Sequence, residues 1–235
     1  MTAPEGFGPA SRVALYYAPA EDDPLWSRAV AWLGRDPATG ADVAQPAIPG
    51  LAAITEDARS YGFHATLRPP MRLLPGVTWE DFRASAAALA GCIAAFPLPP
   101  LSIVDLSGFL ALHETSPSPE LQALCDACVA WVDHLREPPG PAELARRRCS
   151  GLSPAEDAHL VRWGYQYVFS TWFFHMTLTC RLTPEEQAIY RPAAEAWFAG
   201  VLAARRMVRD IAIFVQAEPG EAFFLADRLT LRSNS

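Results

Sequence analysis

The sequence predicts an α+β fold built as two pseudo-symmetric lobes, each an antiparallel sheet backed by helices, around a central cleft with a helical insert. Three observations predict it. His64-Ala65-Thr66-Leu67 and His175-Met176-Thr177-Leu178 are near copies, each preceded by a phenylalanine, in a chain with five histidines. Each copy is followed by a helix-patterned stretch and then by two strand-patterned runs, so the architecture itself repeats. A mainly helical segment separates the two copies. The expected boundaries are about 12–113 for lobe one, about 118–164 for the insert and about 165–231 for lobe two, all in one domain.

The elements follow in order. Arg12–Ala18 reads as a first strand, and Asp23-Pro24 caps a short helix through Trp32 with proline at its first position. Asp36–Pro49, rich in Pro, Gly and Ala, reads as loop, and the first histidine strand is expected over Tyr61–Leu67, closed by Pro69-Pro70. Thr78 and Asp81 form a capping-box start for an alanine-rich helix to Phe96. Leu101–Asp105 and Phe109–His113 read as a hairpin around Leu106-Ser107-Gly108. Ser118-Pro119, Pro141-Ala142 and Ser153-Pro154 each open an insert helix, the first running to about Leu135. The second histidine strand covers Phe173–Cys180 and is expected to face the first across the cleft. Thr183-Pro184-Glu185-Glu186 then opens a long helix to about Ala203, with acids complementing the helix dipole. Val208–Ala217 and Ala222–Leu231 close the chain as strands.

Composition narrows the function. The 235 residues suffice to bury a sizeable core, and 51% apolar with 19% charged residues fits a globular protein. No apolar run approaches a membrane span, and Met1–Pro9 lacks a basic region followed by an apolar one; no membrane partner and a cytoplasmic location are expected. Five scattered cysteines fit reduced thiols, and Cys125-x-x-Cys128 lies mid-helix, where buried thiols are the plain reading. With 19 basic residues against 26 acidic and a net charge of −7, long nucleic acid is not the expected partner. A small phosphorylated substrate remains open, since it needs only a few local donors.

On a strand, side chains alternate faces, so His64 shares a face with Thr66, and His175 with Thr177. Paired imidazoles suit a reaction that takes a proton at one end and gives one at the other near neutral pH. The two hydroxyls supply donors to an anionic, oxygen-rich centre. Phosphodiester cleavage fits this set without a metal or other cofactor. A metal is the rival for paired histidines, yet no third ligand stands at a familiar spacing from either motif. Other residues compete for the same pocket. Arg146 or Arg147 is a candidate to clamp a second phosphate bidentately, while Arg148 stays on a solvated face. Tyr165 and Tyr167 share one face of a short extended run and could stack on a base or sugar, or pack beside Trp163. Tyr61 lies on the far side of an ideal strand unless a bulge or strand start turns it inward. Arg68 is a possible phosphate neighbour with a surface default, and at most one of Tyr16 and Tyr17 can reach the pocket. His113, His134 and His159 read as structural or exposed.

At these residues the chain resembles the 2H phosphoesterase superfamily, named for two His-x-Thr/Ser-hydrophobic motifs, which includes the LigT-type RNA 2′,3′-cyclic phosphodiesterases. It is most similar to a subfamily of uncharacterised proteins encoded with phosphonate-utilisation genes. Trp32–Asp36, Tyr61–Pro70, Gly108–Leu112, Glu143–Arg147, Trp163–Val168 and Phe174–Thr179 carry the resemblance, which extends over nearly the whole chain. Gln166 stands where proline is usual between the tyrosines, and Phe173 where arginine is common before Phe-His. The resemblance implies the bilobal 2H phosphoesterase fold, His64 and His175 as acid and base, Thr66 and Thr177 as phosphate ligands, and activity without a cofactor. It also points to a ribose cyclic phosphate in phosphonate metabolism as a substrate. The alternatives are a non-catalytic protein binding a phosphorylated metabolite and an RNA 2′,3′-cyclic phosphodiesterase.

Overall fold

A computed structural model of the chain describes residues 2–149 and 151–233. Its strands are β1 (Arg12–Tyr17), β2 (Ala65–Met71), β3 (Phe96–Leu98), β4 (Leu101–Leu106), β5 (Phe109–Glu114), β6 (Met176–Arg181), β7 (Arg206–Val208), β8 (Asp210–Gln216) and β9 (Phe224–Thr230). The helices are α1 (Pro24–Leu33), α2 (Leu51–Ile54), α3 (Glu56–Tyr61), α4 (Trp79–Cys92), α5 (Pro119–Trp131), α6 (Pro141–Arg148), α7 (Pro154–Trp163) and α8 (Pro184–Leu202). The α+β class holds, with two antiparallel sheets. One is seven-stranded in the order β4-β5-β6-β2-β1-β8-β9, and the other pairs β3 with β7.

The helix starts follow from local chemistry. Thr78, Ser153 and Thr183 each close a capping box with an acid three residues on, and Asp23 and Ser118 accept from the backbone of their first turns. These caps satisfy N–H groups that a helix cannot pair internally. The proline at the first helical position of α1, α5, α6, α7 and α8 gives up an amide that had no partner there.

The large sheet is two smaller ones joined at a thin seam. On one side β1 pairs with β2 and β8, and β8 with β9; on the other, β5 pairs with β4 and β6. The halves meet at Ala65↔Met176, the single registered pair between β2 and β6. Two expectations are thereby corrected. The histidine strands lie side by side and antiparallel at the seam, rather than facing each other across a cleft. The hairpins also cross over, since β4-β5 follows the first motif in sequence yet pairs with the second motif's strand, while β8-β9 does the reverse through β1. The contiguous segments 12–113 and 165–231 are therefore interleaved in space. Exchanging hairpins lets each histidine strand find a partner on both edges, which removes two exposed edges from the centre of the molecule.

One face of this sheet is the main core. Val13, Leu15, Tyr17, Ala65, Leu67, Met176, Leu178, Ile211, Ile213 and Val215 pack there against Leu25, Trp32, Ile54, Phe82, Cys125 and Phe198 of the helices. Each fully buried Leu, Ile or Phe contributes about 1.5–3 kcal/mol of transfer free energy. Cys125 and Cys128 are free, buried thiols of α5, and burial pushes both thiols up from their ordinary range. The alternate residues of β1 and β8 face the other way. Ala14, Tyr16, Ala212 and Phe214 form a smaller cluster with Trp26, Val30 and Phe223, and this face carries the candidate site.

Candidate active site

Pairing Ala65 with Met176 fixes the neighbours. One step along an antiparallel register in either direction sets His64 opposite Thr177 and Thr66 opposite His175. Opposed side chains on such a register lie with Cβ atoms about 4.5–5.5 Å apart, which sets the four as a square, of which His64, Thr66 and Thr177 line one cavity and His175 is not among its lining residues. Ala65 and Met176 point the other way and are 1% and 0% exposed. Trp172 Nε1 donates to the Thr66 carbonyl at 2.8 Å, and Trp32 Nε1 to the Leu178 carbonyl at 3.0 Å, tying each motif strand to a tryptophan. Both histidines sit just ahead of their strands, which begin at Ala65 and Met176, so the expected strand starts at Tyr61 and Phe173 are corrected. The first strand also runs on through Pro69-Pro70 to Met71 instead of stopping at the prolines.

The two imidazoles are held alike. His64 Nδ1 lies 2.9 Å from the Gly62 carbonyl, and His175 Nδ1 lies 3.2 Å from the Phe173 carbonyl. A carbonyl only accepts, so Nδ1 carries the hydrogen in both rings and, in the neutral form, Nε2 keeps its lone pair. His64 Nε2 is 3.3 Å from Thr66 Oγ1. Gly62 supplies its carbonyl from φ 76°, a conformation that disfavours a side chain, and a Cβ there would lie 2.9 Å from Pro37 Cβ. The Tyr16 ring stacks on His64 at 3.7 Å and 17°, and Phe173 stacks on His175 at 4.7 Å and 27°. Burial lowers the His64 pKa from 6.5 to about 4, against a partial rescue by the Gly62 carbonyl; the nearby His175 lowers it further. His175 is also lowered, first by burial. Both rings are therefore neutral at pH 7, since burial disfavours their charged forms.

A cavity of about 370 Å³ opens over this face, a size suited to a small ligand. His64, Thr66 and Thr177 line it together with Tyr61, Tyr165 and Arg147. Tyr61 reaches it from the last turn of α3 and stacks on Phe223. Arg147 stands over the Tyr165 ring at 5.1 Å and is oriented by Glu143 Oε1 at 3.0 Å. Tyr167 sits behind, edge-on to Tyr165 and to Phe173. Arg146 turns away into a neighbouring cavity, and Arg148 pairs with Asp157 at 2.6 Å. Gln166 is buried with Oε1 unpartnered.

Arg68 is neither a cleft residue nor a surface one. It is 1% exposed and donates to the Trp163 carbonyl at 3.1 Å, with Asp133 at 3.5 Å. Strict alternation from Thr66 would place it on the cleft face. A bulge intervenes, because Tyr16 pairs with Thr66 but Leu15 pairs with Arg68, and the extra residue turns Arg68 to the core side. Three residues beyond the motifs also belong to the surroundings. Tyr16 and Arg12 line the cavity, and their signal was the alternation Arg12-Ala14-Tyr16 along β1. His113 follows Leu112, the partner of Met176, and so stands opposite His175; it too lowers that histidine's pKa. That placement depends on the hairpin exchange and leaves no trace in local sequence.

Among the described residues no helix is long and apolar enough to cross a membrane, and no three His, Cys, Asp or Glu side chains are grouped to hold a metal ion. The chain is similar to ribose 1,5-bisphosphate phosphokinase PhnN of Janthinobacterium sp. (strain Marseille), 39% identical over 222 residues, covering 91% of this chain and 49% of that protein. The protein of the same name from Laribacter hongkongensis (strain HLHK9) is 36% identical over 218 residues, at 91% and 50% coverage. The chain thus spans about half the length of these relatives. Among solved structures, E. coli LigT in complex with NADP+ is similar over 95% of this chain and 99% of that one, at 12% identity and a TM-score of 0.44. A phosphoesterase crystal structure is similar over 94% and 98%, at 12% identity and a TM-score of 0.41. Residues 66–224 match the family described as a protein of unknown function, DUF1045, and the chain belongs to that family.

Proposed function

We propose that the chain is a metal-independent phosphoesterase that opens a cyclic phosphodiester on a small sugar or nucleotide. The observation that carries this reading is the Ala65↔Met176 register, which sets both histidines and both threonines on one face, with His64, Thr66 and Thr177 lining one cavity. One neutral Nε2 accepts a proton from water as its oxygen attacks phosphorus. The bond from phosphorus to one ring ester oxygen breaks, and the other imidazole, charged once the anion is bound, protonates that oxygen. The products are a phosphate monoester and a free hydroxyl. The histidines end with their protonation states exchanged and reset through solvent. Thr66 and Thr177 donate to the non-bridging oxygens as charge builds there.

The relatives' name describes a kinase. A phosphate-cradling loop of the form G-x-x-x-x-G-K-[ST] requires a lysine, and these 235 residues contain none, all 19 basic residues being arginine. The imidazole pair is what supports ester cleavage for this chain.

The test is turnover of ribose cyclic phosphates and 2′,3′-cyclic nucleotides with EDTA present, followed by phosphorus NMR. Appearance of a monoester that survives chelation supports the reading. Tight binding of the same compounds without turnover would make the chain a phosphometabolite-binding protein instead.

A further inference from the structure

Arg12 and Pro70 border the histidine cavity and also a second one of about 260 Å³ beside it. Four guanidinium groups line that second cavity: Arg12, Arg72, Arg136 and Arg146. In a chain of net charge −7, this concentration of positive charge runs against the whole. Two of the four are matched locally, Arg72 by Glu137 and Arg136 by Asp133. The cavity's other carboxylate, Glu143, is taken by Arg147. Arg12 donates its Nε to the neutral Gln216 Oε1 at 2.7 Å, and Gln216 is itself buried and anchored to the Glu221 carbonyl at 2.7 Å. Among the described residues no carboxylate lies within ion-pair distance of Arg12 or Arg146. Arg12 is thus oriented without being neutralised. Arg146 and Arg147 are successive residues of α6, and they serve the two neighbouring cavities respectively.

We propose that this second cavity seats a phosphate monoester, so that the ligand carries two phosphoryl groups. One is the diester over the histidines, and the other is a terminal dianion gripped by Arg12 and Arg146. This assignment rests on the phosphoesterase reading for the first group and on the arginine geometry for the second. Guanidinium forks match phosphate oxygens two at a time, which suits a chain that carries 19 arginines and no lysine. Opening the ring of such a sugar cyclic phosphate would leave a sugar bisphosphate.

The seat is tested apart from catalysis by calorimetric titration of ribose 5-phosphate into the wild-type chain, Arg146→Ala and Arg12→Gln, with thermal melts as a folding control. Arg146 is exposed, so its variant keeps the test valid if Arg12→Gln fails to fold. Each substitution should weaken binding about ten- to a hundredfold, the scale of one hydrogen bond to a charged group. In parallel, kcat/KM is compared for a ribose cyclic phosphate with and without a 5-phosphate. The preference for the phosphorylated form should shrink by a similar factor in Arg146→Ala, through KM. Ribose 5-phosphate binding that Arg146→Ala leaves intact overturns the seat even where hydrolysis proceeds. Binding lost in the variants while no cyclic ester is cleaved supports the seat and sinks the hydrolase reading alone.

Discussion

Acidification from pH 7 to pH 4 should cost the native chain more stability than it costs a His64→Gln variant. His64 is held neutral in the folded state, its pKa lowered from 6.5 to about 4 chiefly by burial. In the unfolded chain the ring takes up its proton near pH 6.5, so below that value the unfolded state binds more protons than the native one. Stability is thus fully present above pH 6.5 and drains away as the pH falls toward 4, where the native ring protonates as well. At about 1.36 kcal/mol per pH unit, the interval from 6.5 to about 4 corresponds to about 3 kcal/mol. The ring lines an open cavity, so solvent relaxation brings the expected figure to about 2–3 kcal/mol. The assay is urea unfolding of both proteins at intervals between pH 7 and pH 4, with the His64 ring followed by NMR. The difference between the two stability curves should widen by that amount, and inorganic phosphate should move the His64 titration upward. A His64 titration near 6.5 with parallel curves would refute the assignment of the depressed pKa to burial on this face.

The remaining expectations are enzymatic and structural. His64→Ala and His175→Ala should each lower cyclic ester hydrolysis about 10²–10⁴-fold, with the double variant losing far less than the product of the two; full activity in folded single variants would make the motifs structural. Thr66→Val and Thr177→Val should each cost about 10²–10³-fold in kcat, read in the same assay. The pH–rate profile should be bell-shaped, and a profile flat from pH 5 to 9 would remove the imidazoles from the chemistry. Arg68→Ala should act on stability rather than turnover, removing a buried guanidinium that donates to the Trp163 carbonyl while Asp133 keeps Arg136 and Arg162, at about 1–3 kcal/mol. At about 2–4 °C per kcal/mol, a Tm about 2–12 °C lower is expected, with kcat per folded molecule preserved.

The parts of this protein legible in its sequence are those fixed by local chemistry. Caps at Asp23, Thr78, Ser118, Ser153 and Thr183 mark real helix starts, because each side chain satisfies amides within a few residues of itself. Strand alternation likewise put His64 with Thr66 and His175 with Thr177, since the period of two belongs to the backbone. What the tertiary structure decided is everything that depends on a partner strand. The seam at Ala65↔Met176 makes one square of two separate pairs, and the exchanged hairpin brings His113 opposite His175. The bulge opposite Leu15 and Tyr16 sends Arg68 into the core, against its own alternation. Successive arginines of α6 are indistinguishable in sequence, yet Arg147 enters the histidine cavity and Arg146 the one beside it. Register, bulges and helix docking are set by contacts between distant segments, and no local pattern encodes the residue on the other side.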